Sequence, residues 1–371
     1  MNKGSRFVMN LFFILMFILI SILLYTTISF FASGVKDDTV KIGLILRGGR
    51  YDTGWDEANA SGAMKAEENL GFKLIIMDNV EEKDEPLINA VNKLVSSGCK
   101  AIFFSGYGYE TIMEKYGDDY ADISLFFNAP TREYKNFIRY SGRLYQARYL
   151  AGLVAGKTSK TNHIGYLAAF PDDEVIQGIN AFTLGCRRSN QHAVVDVYYT
   201  ESWSDRDAEI DGAKMLISDY DVDVLTVHES SNYASSVARK NGIKYISCHV
   251  PTGEECELAC VYTDWGRVYT EVIRDFIRGT VEKNNGYWLG LEGDYVCISE
   301  ISDSVPDYVL KNIEIERNEI INGVDVFSNN IKDTEGIMRC RSGEIIPDNE
   351  LIKNMDWYIQ GVFIRDAQQK G

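Results

Sequence analysis

The chain carries the same series of elements twice. Ile42 in KIGLILR and Ile164 in HIGYLAAF lie 122 residues apart, and each opens a strand–loop–helix pattern. At the same offset AVNKLVSSGCKAIFF (90–104) lands on GAKMLISDYDVDVLT (212–226), setting Leu94 on Leu216, Val95 on Ile217 and Ser96 on Ser218. FKLIIM (72–77) meets VVDVYY (194–199), and SLFFN (124–128) falls in the region of YISCHV (245–250). The order strand, helix, strand, helix, strand, strand therefore occurs twice. Strands alternating with helices form parallel sheets covered on both faces, so the sequence predicts an α/β protein of two similar lobes. A single core would not accommodate the roughly 335 residues that follow the amino-terminal segment.

Lobe 1 is expected over residues 36–155 with a returning segment at about 262–300, and lobe 2 over 156–261 with part of 300–371. Ligands of open parallel sheets bind beyond the carboxyl ends of the strands. Two lobes facing each other through those ends enclose a cleft with a hinge, lined by loops 47–56, 105–109, 128–132, 169–174, 200–207 and 228–233. The first three loops offer Trp55, Asp56, Gly106, Tyr107, Tyr109 and Asn128, and the last three offer Phe170, Trp203, Asp205 and Glu229. Flat rings flanked by a few amides and carboxylates suit a flat heteroaromatic ligand, held by stacking and edge hydrogen bonds. Any one ring alone would serve equally to pack the hinge; their recurrence in loop after loop favours a ligand.

The first turn, RGGRYDTGWDEANASG (47–62), lacks the Gly-Lys-Ser/Thr ending of a P-loop, and Gly48, Gly49 and Gly54 lack dinucleotide-binding spacing. No nucleotide cofactor is expected. His163, His192, His228 and His249 form no H-E-x-x-H pattern, and no G-x-S-x-G elbow is present, so the chain is not expected to be an enzyme. His228 falls in a cleft loop, where a general base, a ligand hydrogen bond and an ordinary loop residue are all open. The seven cysteines are odd in number and widely spaced, which is no disulfide framework. Cys248-His249 with Cys256 and Cys260 matches no common zinc spacing, leaving a local Cys256–Cys260 disulfide or plain thiols. No metal is expected.

Leu11 to Phe31 is a stretch of 21 residues without a charge, preceded by Lys3 and Arg6. A helix of roughly 20 apolar residues spans the bilayer, and the flanking cations keep the amino terminus cytoplasmic, with the remainder exported. Ala32-Ser33-Gly34 also resembles a cleavage site, but the apolar run exceeds the usual signal length, so an anchor at 11–31 is the expectation. The first 98 residues hold no cysteine, which excludes an amino-terminal lipid-bearing thiol. Residues 36–371 carry 36 Lys+Arg against 54 Asp+Glu, a net of −18 that repels phosphate backbones; nucleic acid is not an expected partner.

IGYLAAFPDDEVIQGINAFTLGCR (164–187), YYTESWSDRDAEIDGAKMLI (198–217) and DVLTVHESS (223–231) resemble the basic membrane protein family of solute-binding proteins. RYLAGLVAGKTSKTNHIGYLAAF (148–170) is similar to that family's interlobe segment and MDWYIQGV (355–362) to its carboxyl terminus. The resemblance covers about 38 to 364 and implies a type I periplasmic-binding fold with three crossovers, serving an ABC importer and its permease subunits. It also implies a purine ligand, base or nucleoside, with Trp55 stacking on the ring beside Phe170 or Trp203, and Asn128, Asp205 and Asp264 on its edge. Nucleoside-binding members close their turn with Asp-x-Ser-Phe-Asn, whereas this chain has Asp52-Thr53-Gly54-Trp55-Asp56. Their ribose-holding lysine has no counterpart near Asp264-Trp265, which favours the free base. One branch of the family comprises membrane-anchored regulators of competence, so uptake and surface sensing are both implied.

Overall fold

Nearly every side chain of Lys41–Ile45 (β1) is buried, because this strand lies inside a sheet covered on both faces. The computed structural model describes residues 16–24, 39–52, 54–128, 137–281 and 286–366. They fall into two units, Met1–Val40 and Lys41–Gly371. In the first, residues 16–24 are helical with exposed side chains, and the rest of the apolar stretch 11–31 lies outside the described residues. Among the described residues no helix is long and apolar enough to cross a membrane.

The second unit contains two sheets. Lobe 1 is built on Lys73–Met77 (β2), Ala101–Phe104 (β3), Ser124–Phe127 (β4), Phe137–Gly142 (β5) and Tyr287–Leu289 (β11), in the order β11-β5-β4-β3-β1-β2 and parallel throughout. Lobe 2 holds His163–Ala168 (β6), Val194–Tyr199 (β7), Val224–His228 (β8), Lys244–Cys248 (β9), Glu257–Thr263 (β10), Val296–Ile298 (β12) and Val362–Ile364 (β15). Their order is β12-β10-β9-β8-β6-β7-β15, and only the β12 pairing is antiparallel. A small hairpin of Ile331–Lys332 (β13) and Met338–Cys340 (β14) stands apart.

The repeat is visible in three dimensions. Strands β1 and β6 start at Lys41 and His163, and helices Asp84–Ser96 and Arg206–Tyr220 start at the same offset. Each half also has a helix between its third and fourth strands, Gly108–Met113 and Ala234–Asn241, that the strand-and-helix reading passed over. These helices span only 6 and 8 residues, too short for a clear 3.6-residue apolar stripe.

The chain passes between the lobes three times: after β5, after β10, and between β11 and β12. Residue 155, the expected lobe boundary, sits inside helix Leu144–Thr158, which lies along Asp173–Ser189 in lobe 2. The two helix backbones nearly touch there. A β-carbon on Gly152 would lie 2.1 Å from the Phe182 carbonyl oxygen, and one on Gly185 would lie 2.0 Å from that of Tyr149. Lobe 1 is filled by residues such as Ile45, Leu94, Ile102, Phe104 and Phe127, and lobe 2 by Leu167, Leu216, Leu225 and Val227 on one face of its sheet.

The segment after β12 wraps lobe 2 and ends as its edge strand, β15, beside β7. Asp196 of β7 is fully buried, accepting hydrogen bonds from Arg365 Nε at 2.7 Å while its other oxygen lies 2.8 Å from His163 Nδ1. The Arg365 guanidinium also lies over the Tyr220 ring, 4.3 Å from its centroid. One carboxylate inside the sheet thus pins the carboxyl-terminal strand in register, because leaving it unpaired would bury an uncompensated charge.

Candidate functional site

The carboxyl ends of the two sheets meet across a cavity lined by Arg47, Trp55, Glu82, Ser105, Gly106 and Tyr107 from lobe 1. Lobe 2 contributes Asp172, Glu174, Val175, Trp203, His228, Ser230 and His249. Trp55 is the first residue of helix Trp55–Leu70. Its indole N–H donates to the Ser105 carbonyl at 3.1 Å, which fixes the ring in the cavity wall. The Trp265 ring stands edge-on to it at 5.3 Å and the His249 ring at 5.1 Å. Across the cavity, Tyr107 and Trp203 hold their rings within 3° of parallel at a centroid distance of 5.9 Å.

The lobes touch directly at this point. The Tyr107 hydroxyl donates to the Glu174 carboxylate, Arg47 Nη2 donates to Ser230 Oγ at 3.3 Å, and the Trp55 backbone N–H donates to the Ser230 carbonyl at 3.3 Å. Gly54 makes that approach possible. Its φ of +128° is outside the range of residues with a β-carbon, and such a carbon would sit 1.8 Å from the Ser230 oxygen. The glycine before Trp55 is therefore a contact point of the closed cleft as well as a turn residue.

The polar groups of the cavity have unusual protonation. Desolvation raises the Glu174 carboxyl to about 7, with the neighbouring Asp172 charge adding to the shift and Tyr107 and Arg148 opposing it. Burial pushes His228 well below the ordinary histidine range and His249 down to about 3, both assisted by the Arg148 guanidinium. Two uncharged imidazoles, each able to donate and accept one hydrogen bond, thus face a carboxyl group that titrates near neutrality.

Of the residues expected in the cleft, Trp55, Gly106, Tyr107 and Trp203 line this cavity. Phe170 lies behind Trp203 at a ring distance of 5.9 Å and is not part of the lining. Asp56 is buried beneath the first turn, where it accepts from the Gly48 N–H at 3.1 Å and organises the loop. Asn128 is buried at the end of β4, and its Nδ2 has no partner among the described residues; the adjoining positions to 132 lie outside those residues. Asp205 is a helix cap outside the cavity lining: its carboxylate accepts from the Asp207 and Ala208 N–H groups at 2.9 and 3.0 Å, as expected of an Asp at that position. Asp264 is a second cap, bonded to the Arg267 N–H at 3.0 Å and facing a separate groove. Glu229 is fully buried below the cavity floor, where it accepts from Thr200 Oγ1 at 2.8 Å and burial lifts its carboxyl to about 9.

Arg47, Glu82, Asp172, Glu174, Ser230 and His249 were not among the expected site residues. Glu82 follows β2 and His249 follows β9. Extending the carboxyl-end rule to every strand would have found both. His228 proves to be the last residue of β8, with Nδ1 3.0 Å from the Tyr166 hydroxyl. The cysteines are free thiols, and among the described residues no group of His, Cys, Asp and Glu is arranged to hold a metal ion. Cys248 instead lies 2.9 Å from Arg148 Nη2.

Residues 39–330 match the Bmp family model, described as ABC transporter substrate-binding protein PnrA-like. A purine-binding protein of Brucella abortus strain 2308 is 30% identical over 332 residues, covering 88% of this chain and 93% of that protein. The transcriptional activator Med of Bacillus subtilis strain 168 is 21% identical over 267 residues, covering 68% and 80%. Among solved structures, a transcriptional activator of the comK gene from Bacillus halodurans superposes with a TM-score of 0.66 at 21% identity, covering 76% of this chain and 98% of that one. An ABC transporter solute-binding protein of Aeropyrum pernix K1 gives 0.66 at 16% identity, covering 79% and 93%. The shared fold is the two-lobed α/β periplasmic-binding arrangement with parallel sheets.

Proposed function

This chain belongs to the PnrA-like (Bmp) family of ABC transporter substrate-binding proteins, and we propose that it binds a purine base or nucleoside in the interlobe cavity and presents it to the permease of an importer. The observation that carries the reading is the ring set: Trp55, Tyr107 and Trp203 surround the cavity from both lobes. Rings placed this way suit a flat ligand, and the two neutral histidines supply hydrogen bonds along its edge. Glu82, Asp172 and Glu174 make the cavity hostile to a phosphate group, with Arg47 as the lining cation. A free base fits these groups better than a nucleotide. Calorimetry with adenine, guanine, hypoxanthine and their nucleosides tests the proposal: at least one should bind with micromolar affinity or better, and no heat from any of them would overturn it.

The ligand bridges two lobes, so binding is expected to draw them together. Small-angle scattering of residues 36–371 should give a smaller radius of gyration with ligand than after residual ligand has been stripped. An unchanged radius counts against the hinge.

Closure should also take up a proton. The Glu174 carboxyl titrates at about 7 in the closed cleft and returns toward the ordinary carboxylate range once the lobes part and water enters. The closed form therefore holds the proton more tightly. Its advantage is complete below the open-state value near 4.5 and is lost as pH rises through 7. Binding should be about fivefold or more tighter at pH 5.5 than at pH 8, and Glu174→Gln should flatten the profile. A slope that survives in Glu174→Gln assigns the proton to another group.

A second reading uses the same cleft for sensing. Its motivation is the uncharged stretch 11–31, which would tether the binding unit beside its partners. Fractionation with mass measurement of the amino terminus separates the two, since an extracellular product beginning near Val35 removes the tether.

A further inference from the structure

His249 is held in a way that its position in the chain does not require. It follows β9 with a φ of +68°, a left-handed conformation that residues with a β-carbon seldom adopt, and its backbone N–H is fixed to the Val261 carbonyl at 2.8 Å. This backbone turn brings the imidazole into the cavity wall, where it is 8% exposed and stands edge-on to Trp55 at 5.1 Å. Its Nδ1 is buried and has no partner at ordinary hydrogen-bond distance among the described residues, the Glu229 backbone being the acceptor that acts on the ring. The other cavity imidazole has one nitrogen already committed, because His228 Nδ1 shares a hydrogen bond with the Tyr166 hydroxyl.

Beneath both rings lies Arg148, fully buried, with Thr226 Oγ1 at 3.4 Å and Cys248 Sγ at 2.9 Å as its hydrogen-bond partners. A guanidinium in that position repels a second positive charge. Burial first, and that charge second, keep His249 uncharged at neutral pH, with its value pushed down to about 3. An uncharged imidazole has one N–H and one lone pair to offer. A buried polar nitrogen left unpaired is costly, and the cost is relieved when a ligand supplies the missing partner.

We infer that His249 is the specificity-determining residue of the cavity, reading the ring edge of the bound base by one hydrogen bond while Trp55 takes its face. The inference rests on the purine reading above and goes further by assigning discrimination between ring edges to one side chain. A site that pairs a buried polar group with the ligand rejects analogues lacking the matching atom, whereas stacking tolerates any flat ring. Affinity for purines as a class should then follow Trp55, and preference among them should follow His249.

The test is calorimetry on the full chain with adenine, guanine, hypoxanthine and the 1-, 3-, 7- and 9-deaza analogues of the tightest-binding base. His249→Phe preserves the ring beside Trp55 and removes its nitrogens, and His249→Gln restores a donor and an acceptor. Expected results are a loss of about tenfold or more in His249→Phe, a smaller loss in His249→Gln, and one deaza analogue that is weakened against the native protein but not weakened further against His249→Phe. Thermal unfolding identifies a variant that fails to fold; if His249→Phe does so, the deaza series against His249→Gln decides by the same rule. Native binding with His249→Phe affinities within about twofold, or deaza and mutant losses that simply add, overturns this inference alone. Absence of binding by the native protein to every base overturns the purine reading, and the inference with it.

Discussion

A Gly54→Ala variant is expected to keep both lobes folded and to bind purine roughly 100-fold or more weakly, a loss of about 3 kcal/mol. The added carbon would sit 1.8 Å from the Ser230 carbonyl oxygen on the opposite lobe, and the φ of +128° is denied to alanine. Neither penalty applies with full force when the lobes are apart, since the chain can relax and the Ser230 carbonyl withdraws. The substitution should therefore act on closure. Calorimetry should show the loss, scattering should show a radius that no longer shrinks with ligand, and circular dichroism should be unchanged. Native affinity in Gly54→Ala would mean that the contact between Gly54 and Ser230 is dispensable for binding.

Trp55→Ala should weaken purine binding by about 5- to 150-fold, the equivalent of one stacking contact worth roughly 1–3 kcal/mol. Its indole also contacts His249, Trp265 and the Ser105 carbonyl, so alanine removes a wall of the cavity along with the stacking face. Trp55→Phe separates these contributions. It retains a ring and loses the N–H to Ser105, and it should recover most of the affinity. An unaffected Trp55→Ala protein would remove the ring from the binding site.

The internal offset of 122 residues made the two-lobed fold legible, because apolar strands and helix faces must repeat wherever the same sheet is built twice. Trp55, Tyr107 and Trp203 were legible for a related reason: large rings are conspicuous in turns that ordinarily favour small polar residues. Asp205 and Asp264 cap helices and stand outside the cavity lining. An aspartate just before a helix has the same composition whether it caps the helix or faces a ligand, and only the direction of its carboxylate separates the two. His249 was missed because the carboxyl-end rule was not carried to the loop after β9, and no local pattern shows which way its ring turns. Its place in the cavity depends on a left-handed backbone turn and on Arg148, which is 101 positions earlier in the chain and reaches the same spot through the packing of helix Leu144–Thr158. Glu174 falls in the stretch 169–174 already suspected, in the first turn of helix Asp173–Ser189, yet its near-neutral titration arises from burial that no spacing announces.

The two ends of the binding unit belong to different lobes. Strand β1 enters beside the edge strand β2 of the six-stranded sheet, and β15, pinned through Arg365 and Asp196, closes the edge of the seven-stranded one. Whatever grips the chain ahead of β1 grips lobe 1, and whatever is joined after β15 travels with lobe 2. For a protein held by its amino-terminal side, swallowing a ligand is then a movement of lobe 2 against a stationary half. If a ligand closes the cleft, probes placed at the two ends would register the closure as a change in their separation.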